Sequence, residues 1–460
     1  METSVVKAVP DFNPSLENLE HIIYQKAMEW AREMYRKVLE YLDDEIRKRR
    51  VKSLEIIRTD QTWHTTILGS VRVKRRYYRA RDGSYHYLLD ELMGITKHRH
   101  ISRQVQRLSL EMAVQMPYRR VSAIMSKATP VSLSHQTICR IVERVAGRCL
   151  DSHDQAIAHL ASTGEIPWGK DMHVSRLIIE ADGVMIPLQG ERRRRIEAKL
   201  GISYEGHRRV GRDRYRTVGK QVFADITGSN SFWSAMTLKL GQYYDLSGCD
   251  TVLGGDGAGW IRQGSEYFNS SYNLCRFHLN RNLTRTLGYE SRVLKEVKEV
   301  LRKGDVSLAI RLLEETRLSV SGDRRKDITR FAGYIRANAS GIAPDTDVSG
   351  GLRGTGAIEG NIDKIIVKRM KNQGMSWSIN GARRMLFLRA AWYEDRLDDC
   401  LADNPSPRLC RLPEKTVRKV IDKKINQDYG KYFAAGIPAL AGPHASRPWA
   451  KVLKSMTGGL

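Results

Sequence analysis

LIIEADGVMIPLQ, residues Leu177–Gln189, is an apolar and largely β-branched run interrupted by Glu180, Asp182 and Gly183. It reads as a buried strand. Side chains alternate between the two faces of a strand, so Glu180 and Asp182 point the same way. A carboxylate inside an apolar strand is costly unless it is paired or bound to a cation. Either Asp182-Gly183 is a hairpin turn that ends the strand, or the strand delivers a carboxylate at its end to a reactive site.

Composition narrows the choice. The chain has 460 residues, 28% charged and 41% hydrophobic, which is enough for two or three domains with cores of their own. Its net charge of +25 and pI near 9.8 call for a polyanionic partner, most often nucleic acid. No apolar run reaches the ~18 residues of a membrane span, so no membrane partner is expected. The N-terminal METSVVKAVPDFNPS lacks the basic region and apolar core of a signal peptide. Cys139, Cys149, Cys249, Cys275, Cys400 and Cys410 are scattered without a CxxC pair. That fits a reducing compartment and argues against a disulfide framework or structural zinc.

Before the central strand, apolar residues at steps of three and four from Leu16 to Ile46 predict one long helix over about 15–51. It packs on its own domain or on a second copy, with a slight preference for the former. From about Ile56 to Leu92 the pattern turns to strands, with a turn at Asp82-Gly83. Arg72, Lys74, Arg75, Arg76, Arg79 and Arg81 form a basic ribbon there, with Tyr77 and Tyr78 interleaved. It is a solvated hairpin face or a DNA contact. Tyr118–Ala146 holds two short helical patterns around a break at Ala128–Ser132, with Ser134 placed to cap the second. The pair suits a helix-turn-helix that shows His135, Gln136 and Arg140 to a groove, or an ordinary helical pair. Gly164–Lys170 reads as a linker.

After the central strand the chain alternates in α/β fashion. Strands are expected at Arg195–Tyr204, Gln221–Ile226, Thr251–Leu253 and Tyr272–Phe277, with helices at Ser231–Gln242 and Ala258–Phe268. Leu279 to about Ser340 is helical and charged, Ile342–Gly356 is glycine-rich, and helices return at Ala357–Met370 and Ser378–Arg396. Arg192 to Arg195 and the connection HRRVGRDRYRTVGK add basic runs.

Three acids stand out by context. Asp182 and Asp256 each follow an apolar strand, and Asp256 is flanked by glycines that permit close approach. Glu359 lies near a helix start. Asp363, one turn later, competes with it for the third place. Glu191, Asp213 and Asp225 sit in polar loops or beside turns. Carboxylates from separate elements can hold two divalent cations ~3.5–4 Å apart for phosphodiester chemistry. Mg²⁺ suits such a set, and Lys364, Lys368, Arg369 and Lys371 stand ready to neutralise phosphates. Cys275 and His278 resemble half a zinc site with no matching half, and a buried cysteine at a strand end is the stronger reading.

Four segments, IEADGVMIPLQ, GGDGAGWI, CRFHLNRNL and GAIEGNIDKIIVKRMKNQGMSWS, occur in that order. In them the chain resembles bacterial insertion-sequence transposases of the ISLre-two family, in the broader Mutator-like group, over about residues 60–400. The resemblance implies an RNase H-like core with a DDE triad of Asp182, Asp256 and Glu359 as catalytic and metal-binding residues. It implies two Mg²⁺ ions, for which Mn²⁺ can substitute, and cleavage at terminal inverted repeats followed by strand transfer into target DNA. It gives Cys275 and His278 a role in handling DNA beside the active site. Related enzymes hold an unstacked base with a tryptophan in the inserted helices. Leu279–Arg353 contains none, which leaves Trp377 or Trp260 as substitutes. Ile366 stands where relatives carry a basic residue two turns past the Glu, which leaves Lys364 or Lys368 for that role.

The expected fold is α/β: an RNase H-like catalytic core, a mixed sheet flanked by helices, with an all-helical insertion and a mainly helical N-terminal DNA-binding region containing a β-hairpin. The expected divisions are 1–55 (long helix), 56–165 (DNA binding through the ribbon, Gln136 and Arg140), 170–278 (core), 279–350 (insertion), 351–400 (final core helices) and 401–460 (tail). The expected function is a DNA transposase, cytoplasmic and nucleoid-associated, acting as a homodimer or larger assembly on transposon ends and target DNA. The alternatives are a sequence-specific DNA-binding protein without catalysis and a metal-dependent nuclease without strand transfer.

Overall fold

The computed structural model describes residues 16–95, 100–163, 172–190, 194–212, 214–246, 249–344 and 356–402. The linker expected at Gly164–Lys170 and the tail after Asn404 lie outside the described residues. By their contacts the residues form two units. One holds the chain up to Val105 with Ala123–Leu133, and the other holds Gln106–Ser122 with Ser134–Ala402.

In the first unit α1 (Leu16–Arg49) covers an antiparallel hairpin of β1 (Glu55–Thr66) and β2 (Gly69–Arg79). A short strand β3 (Tyr85–His86) and helix α2 (Leu88–Met93) complete it. Leu39 and Leu42 meet Val71, Val73 and Leu89 in its core. The second half of α1 thus packs on its own unit, while Leu19, Ile23 and Trp30 in the first half stay exposed. The turn between β1 and β2 falls at Ile67-Leu68, and Asp82-Gly83 makes the following one. The basic ribbon is only partly a surface. Arg72, Lys74, Arg79 and Arg81 are exposed. Arg75 pairs with Asp90, and Arg76 pairs with Asp43 (2.5 Å) and Asp44 (2.7 Å), acids supplied by α2 and α1. Tyr78 is core.

Three helices follow: α3 (Arg103–Ala113), α4 (Tyr118–Ala128) and α5 (His135–Thr163). Ser134 caps α5 as expected, its hydroxyl accepting the Thr137 N–H at 3.1 Å. Gln136 and Arg140 are exposed. At 29 residues, α5 far outruns the short second helix that the sequence pattern suggested.

The second unit is mixed α/β. Two-residue strands β4 (Met172–His173) and β10 (Tyr244–Asp245) pair in parallel. The main sheet uses β5 (Arg176–Pro187), β6 (Arg195–Tyr204), β9 (Gln221–Asp225), β11 (Asp250–Gly255) and β12 (Ser271–Leu274), in the order β12-β11-β5-β6-β9. β5, β6 and β9 are antiparallel neighbours, whereas β11 and β12 run parallel to β5. A small hairpin of β7 (Gly206–Arg209) and β8 (Tyr215–Val218) carries the basic connection. Period two sorts β5. Leu177, Ile179 and Ala181 join Phe232, Trp233 and Met236 of helix α6 (Ser229–Gly241) in one core. Glu180 and Asp182 therefore face the opposite side.

Short helices α7 (Gly259–Arg262) and α8 (Gly264–Phe268) link β11 to β12. Then α9 (Arg276–Leu287), α10 (Ser291–Arg302), α11 (Val306–Leu318) and α12 (Gly322–Ala337) form a bundle around Leu283, Val297, Leu313, Ile328 and Phe331. This is the expected helical insertion, except that helix begins at Arg276. Phe277 and His278 thus lie on its first turn and not on the preceding strand. The chain returns through α13 (Ala357–Ile362), a π-helical segment at Asp363–Lys371, α14 (Ile379–Tyr393) and α15 (Leu397–Leu401). Among the described residues no helix is long and apolar enough to cross a membrane.

Candidate active site

β5 runs unbroken through Asp182-Gly183 and stays paired with β6 as far as Pro187 and Arg195. The hairpin turn is therefore absent. On its other edge the pairing with β11 stops at Glu180 and Gly254. Asp182 thus stands mid-strand, not at the strand's end, at the point where its parallel neighbour gives out. Asp256 follows that neighbour directly. Gly257, at φ 96, takes a backbone conformation that side chains disfavour, and Asp256 Oδ1 accepts the Ala258 N–H at 2.9 Å across the turn. The Tyr334 hydroxyl of α12 donates to the Asp256 carbonyl at 2.8 Å, tying the insertion to this end of the sheet.

Glu359 arrives on the first turn of α13, and Glu180 fixes that turn. Its Oε2 accepts the Ile358 N–H at 3.0 Å, its Oε1 accepts the Ala357 N–H at 3.3 Å, and the Tyr204 hydroxyl also donates to it. A carboxylate at a helix start satisfies orphan N–H groups and suits the helix dipole. Sequence reading missed this role, although a buried acid one step from Asp182 was the available signal.

Asp182 senses the other two acids. Burial pushes the Asp182 carboxyl up to about 6; Glu359 and Asp256 push the same way, while the Gly183 N–H and His278 oppose them. Glu359 Oε1 lies 3.1 Å from His278 Nε2. Cys275 completes a group of three whose donor atoms all lie within 4.8 Å of one another. Burial raises the Cys275 thiol to about 11, against the backbone N–H groups of His278 and Phe277. Asp363, the rival third acid, is exposed and pairs with Lys368 at 3.3 Å. Glu359 and Asp256 are thus the carboxylates that act on Asp182.

A family model described as "Uncharacterised protein family (UPF0236)" matches residues 12–398. The chain belongs to UPF0236. UPF0236 protein TTE2489 of Caldanaerobacter subterraneus subsp. tengcongensis is 28% identical over 369 residues, covering 78% of this chain and 74% of the relative. A second protein of that organism, whose name joins eleven locus labels from TTE0033 to TTE2212, is 27% identical over 373 residues, with coverage of 78% and 74%. The UPF0236 protein in vanSb 3'region of Streptococcus gallolyticus is 26% identical over 368 residues, with 77% of each chain covered.

Other expected contacts of this UPF0236 chain divide by burial. Lys364 and Lys368 are exposed. Arg369 is 1% exposed; its Nε donates to the Ala113 carbonyl at 3.0 Å, and its guanidinium lies 5.0 Å from the Trp377 ring. Trp377 is buried, its indole N–H donates to the Met370 carbonyl at 2.9 Å, and its backbone N–H bonds Pro187. Both are buried packing residues and not the exposed DNA contacts expected from the sequence: Trp377 ties the last helices to the end of β5, and Arg369 ties them to α3. Trp260 packs edge-on to Phe232 in the α6 core, on the sheet face away from Glu180 and Asp182. The π winding also changes the count from Glu359. Each π turn takes one residue more than an α turn, so two turns end near Val367 and Lys368, and Ile366 is buried.

Oxygen donors are what Mg²⁺ prefers, and Asp182, raised first by burial and then by the Glu359 and Asp256 carboxylates, is a group whose charge a cation there would balance.

Proposed function

We propose that this UPF0236 chain is a DNA transposase with an RNase H-like core, acting on the ends of its own element and on target DNA with Mg²⁺. The observation that carries the reading is the convergence of Asp182, Asp256 and Glu359 from β5, the end of β11 and the start of α13. The sheet supports the fold assignment: three successive antiparallel strands, then two strands parallel to the first and added on its other edge. The eleven locus labels in one relative's name are what a gene copied around a single genome leaves behind. The charge of +25 suits a DNA substrate.

In this reading Asp182, Asp256 and Glu359 hold the cations. When bound, two Mg²⁺ ions would supply activation of the attacking hydroxyl and stabilisation of the leaving oxygen in an in-line displacement. The protein's own part is positional. Neighbouring parallel strands fix the spacing of the two aspartates, Glu180 anchors the turn that carries Glu359, and Tyr334 holds the backbone of Asp256. Lys364 and Lys368 offer exposed positive charge for phosphates.

The test is incubation of the purified chain with DNA carrying both element ends and a target plasmid, with Mg²⁺ and with Ca²⁺. The expected result is Mg²⁺-dependent nicking at the ends and joined product. Nicked DNA without joining identifies a nuclease, and binding without nicking identifies a DNA-binding protein; either outcome overturns the transposase reading.

A further inference from the structure

Cys275-x-x-His278 lacks a second half in the sequence, but the fold supplies one. Glu359, on α13, comes within 3.1 Å of His278 Nε2. A thiol, an imidazole and a carboxylate then present donor atoms all within 4.8 Å of one another, and among the described residues this is the group of three donors close enough for one ion. The site is built from inside. Cys275 is 1% exposed and its N–H bonds the Gly255 carbonyl at 2.7 Å, which ties it to the strand that precedes Asp256. His278 sits on the first turn of α9, and Glu359 is steered by Glu180. Of the group's buried atoms, His278 Nδ1 has no hydrogen-bond partner, and Glu359 Oε1 has the His278 imidazole as its ion-pair partner. A buried polar atom seldom goes without a hydrogen bond for no reason.

We propose that Cys275, His278 and Glu359 form a site for a thiophilic divalent cation of the Zn²⁺ class, distinct in chemistry from the all-oxygen Mg²⁺ position. Thiolate and imidazole ligands select Zn²⁺ and Co²⁺ over Mg²⁺. A Zn²⁺ ion bound at about 2.0–2.3 Å by one S, one N and one O separates its ligands by about 3.3–3.7 Å, which small side-chain movements within the 4.8 Å group reach. Binding releases the Cys275 thiol proton to solvent and leaves a fourth position open. Glu359 belongs to both sites, so a soft cation bound here withdraws the third carboxylate from the aspartates. The site itself does not depend on the transposase reading, and its test reads no DNA chemistry.

The experiment is a Co²⁺ titration of the full, reduced chain followed by absorption. The expected result is a near-ultraviolet thiolate-to-cobalt band that saturates at one equivalent, is displaced by Zn²⁺, and persists in a hundredfold excess of Mg²⁺. Cys275→Ser removes the band, while His278→Gln and Glu359→Gln each weaken cobalt binding about tenfold or more and keep the thiolate band. Melting curves establish that each variant is folded. If Cys275→Ser does not fold, the other two variants decide the matter. Absence of a band, an unchanged band in Cys275→Ser, or unchanged affinity in both His278→Gln and Glu359→Gln overturns the proposal.

Discussion

Glu180 and Asp182 leave β5 on the same face, two residues apart, and meet opposite fates. Glu180 is 1% exposed and receives three donors: two backbone N–H groups of α13 and a tyrosine hydroxyl. Asp182 is 7% exposed, its bond from the protein comes from the adjacent Gly183, and it faces two other carboxylates. Burial alone therefore does not mark a reactive acid. What separates the two is whether the fold aims donors at the carboxylate or leaves its charge for a cation to balance.

The largest effects are expected at Asp182 and Asp256. Asp182→Asn and Asp256→Asn are expected to lower end cleavage by roughly 10³-fold or more, while gel-shift affinity for the ends stays within about twofold. Asp182→Asn is also expected to melt at a higher temperature than the parent in metal-free buffer, because it removes one of three facing acids. Wild-type cleavage in Asp182→Asn would take that residue out of the site. Glu180→Ala should do the reverse. It leaves three donors unpaired and is expected to cost about 3–5 kcal/mol in urea unfolding. Glu180→Gln should cost less, and should raise the Mg²⁺ concentration needed for half-maximal cleavage more than it lowers the maximal rate. If Glu180→Gln instead matches Asp182→Asn in both readouts, the division of labour is wrong.

The burial that lifts Asp182 also acts on His153, which lies beside the Phe223 ring and is held down to about 4. Its folded value is below the ordinary 6.5, so the unfolded chain takes the proton first. Stability is full above about pH 6.5 and drains as pH falls toward 4, by up to ~3 kcal/mol. His153→Leu should flatten the melting temperature between pH 7 and pH 4.5, and an unaltered slope would show that the ring is not held neutral. The smallest effect is expected from Tyr204→Phe. It removes one of the donors to Glu180 and should cost about 1 kcal/mol in the same urea experiment.

Local pattern carried much of this fold. Alternation located β5, β6 and β9 within a residue or two, and the 3.6-residue repeat located α1, α6 and the inserted bundle. Asp182 and Asp256 stood out in sequence as acids beside apolar strands, although Asp182 lies mid-strand and does not close one. Long-range partners were not legible. Arg369 and Trp377 look like a DNA-contacting pair in sequence, yet Arg369 bonds a carbonyl 256 residues away. Arg75 and Arg76 look exposed until the acids of α1 and α2 are folded onto them. Glu359 and Asp363 stand one turn apart in sequence, and only the fold shows Asp363 exposed and paired with Lys368. The third member of the Cys275 and His278 group lies 81 residues beyond His278, a separation that no local spacing rule covers.

The nine residues Asp363–Lys371 are wound as a π helix, which sets how this stretch tolerates a change in length. A π turn is what an α-helix becomes when the chain gains a residue between two ends that cannot move. Here the ends are held: Arg389 donates to the carbonyls of Lys364 and Ile365, and Trp377 donates to that of Met370. An insertion in this stretch is absorbed as a wider coil while Glu359 and the sheet stay in place. Counting by α turns from Glu359 therefore misplaces side chains beyond about Val367, whose facing follows the wider winding.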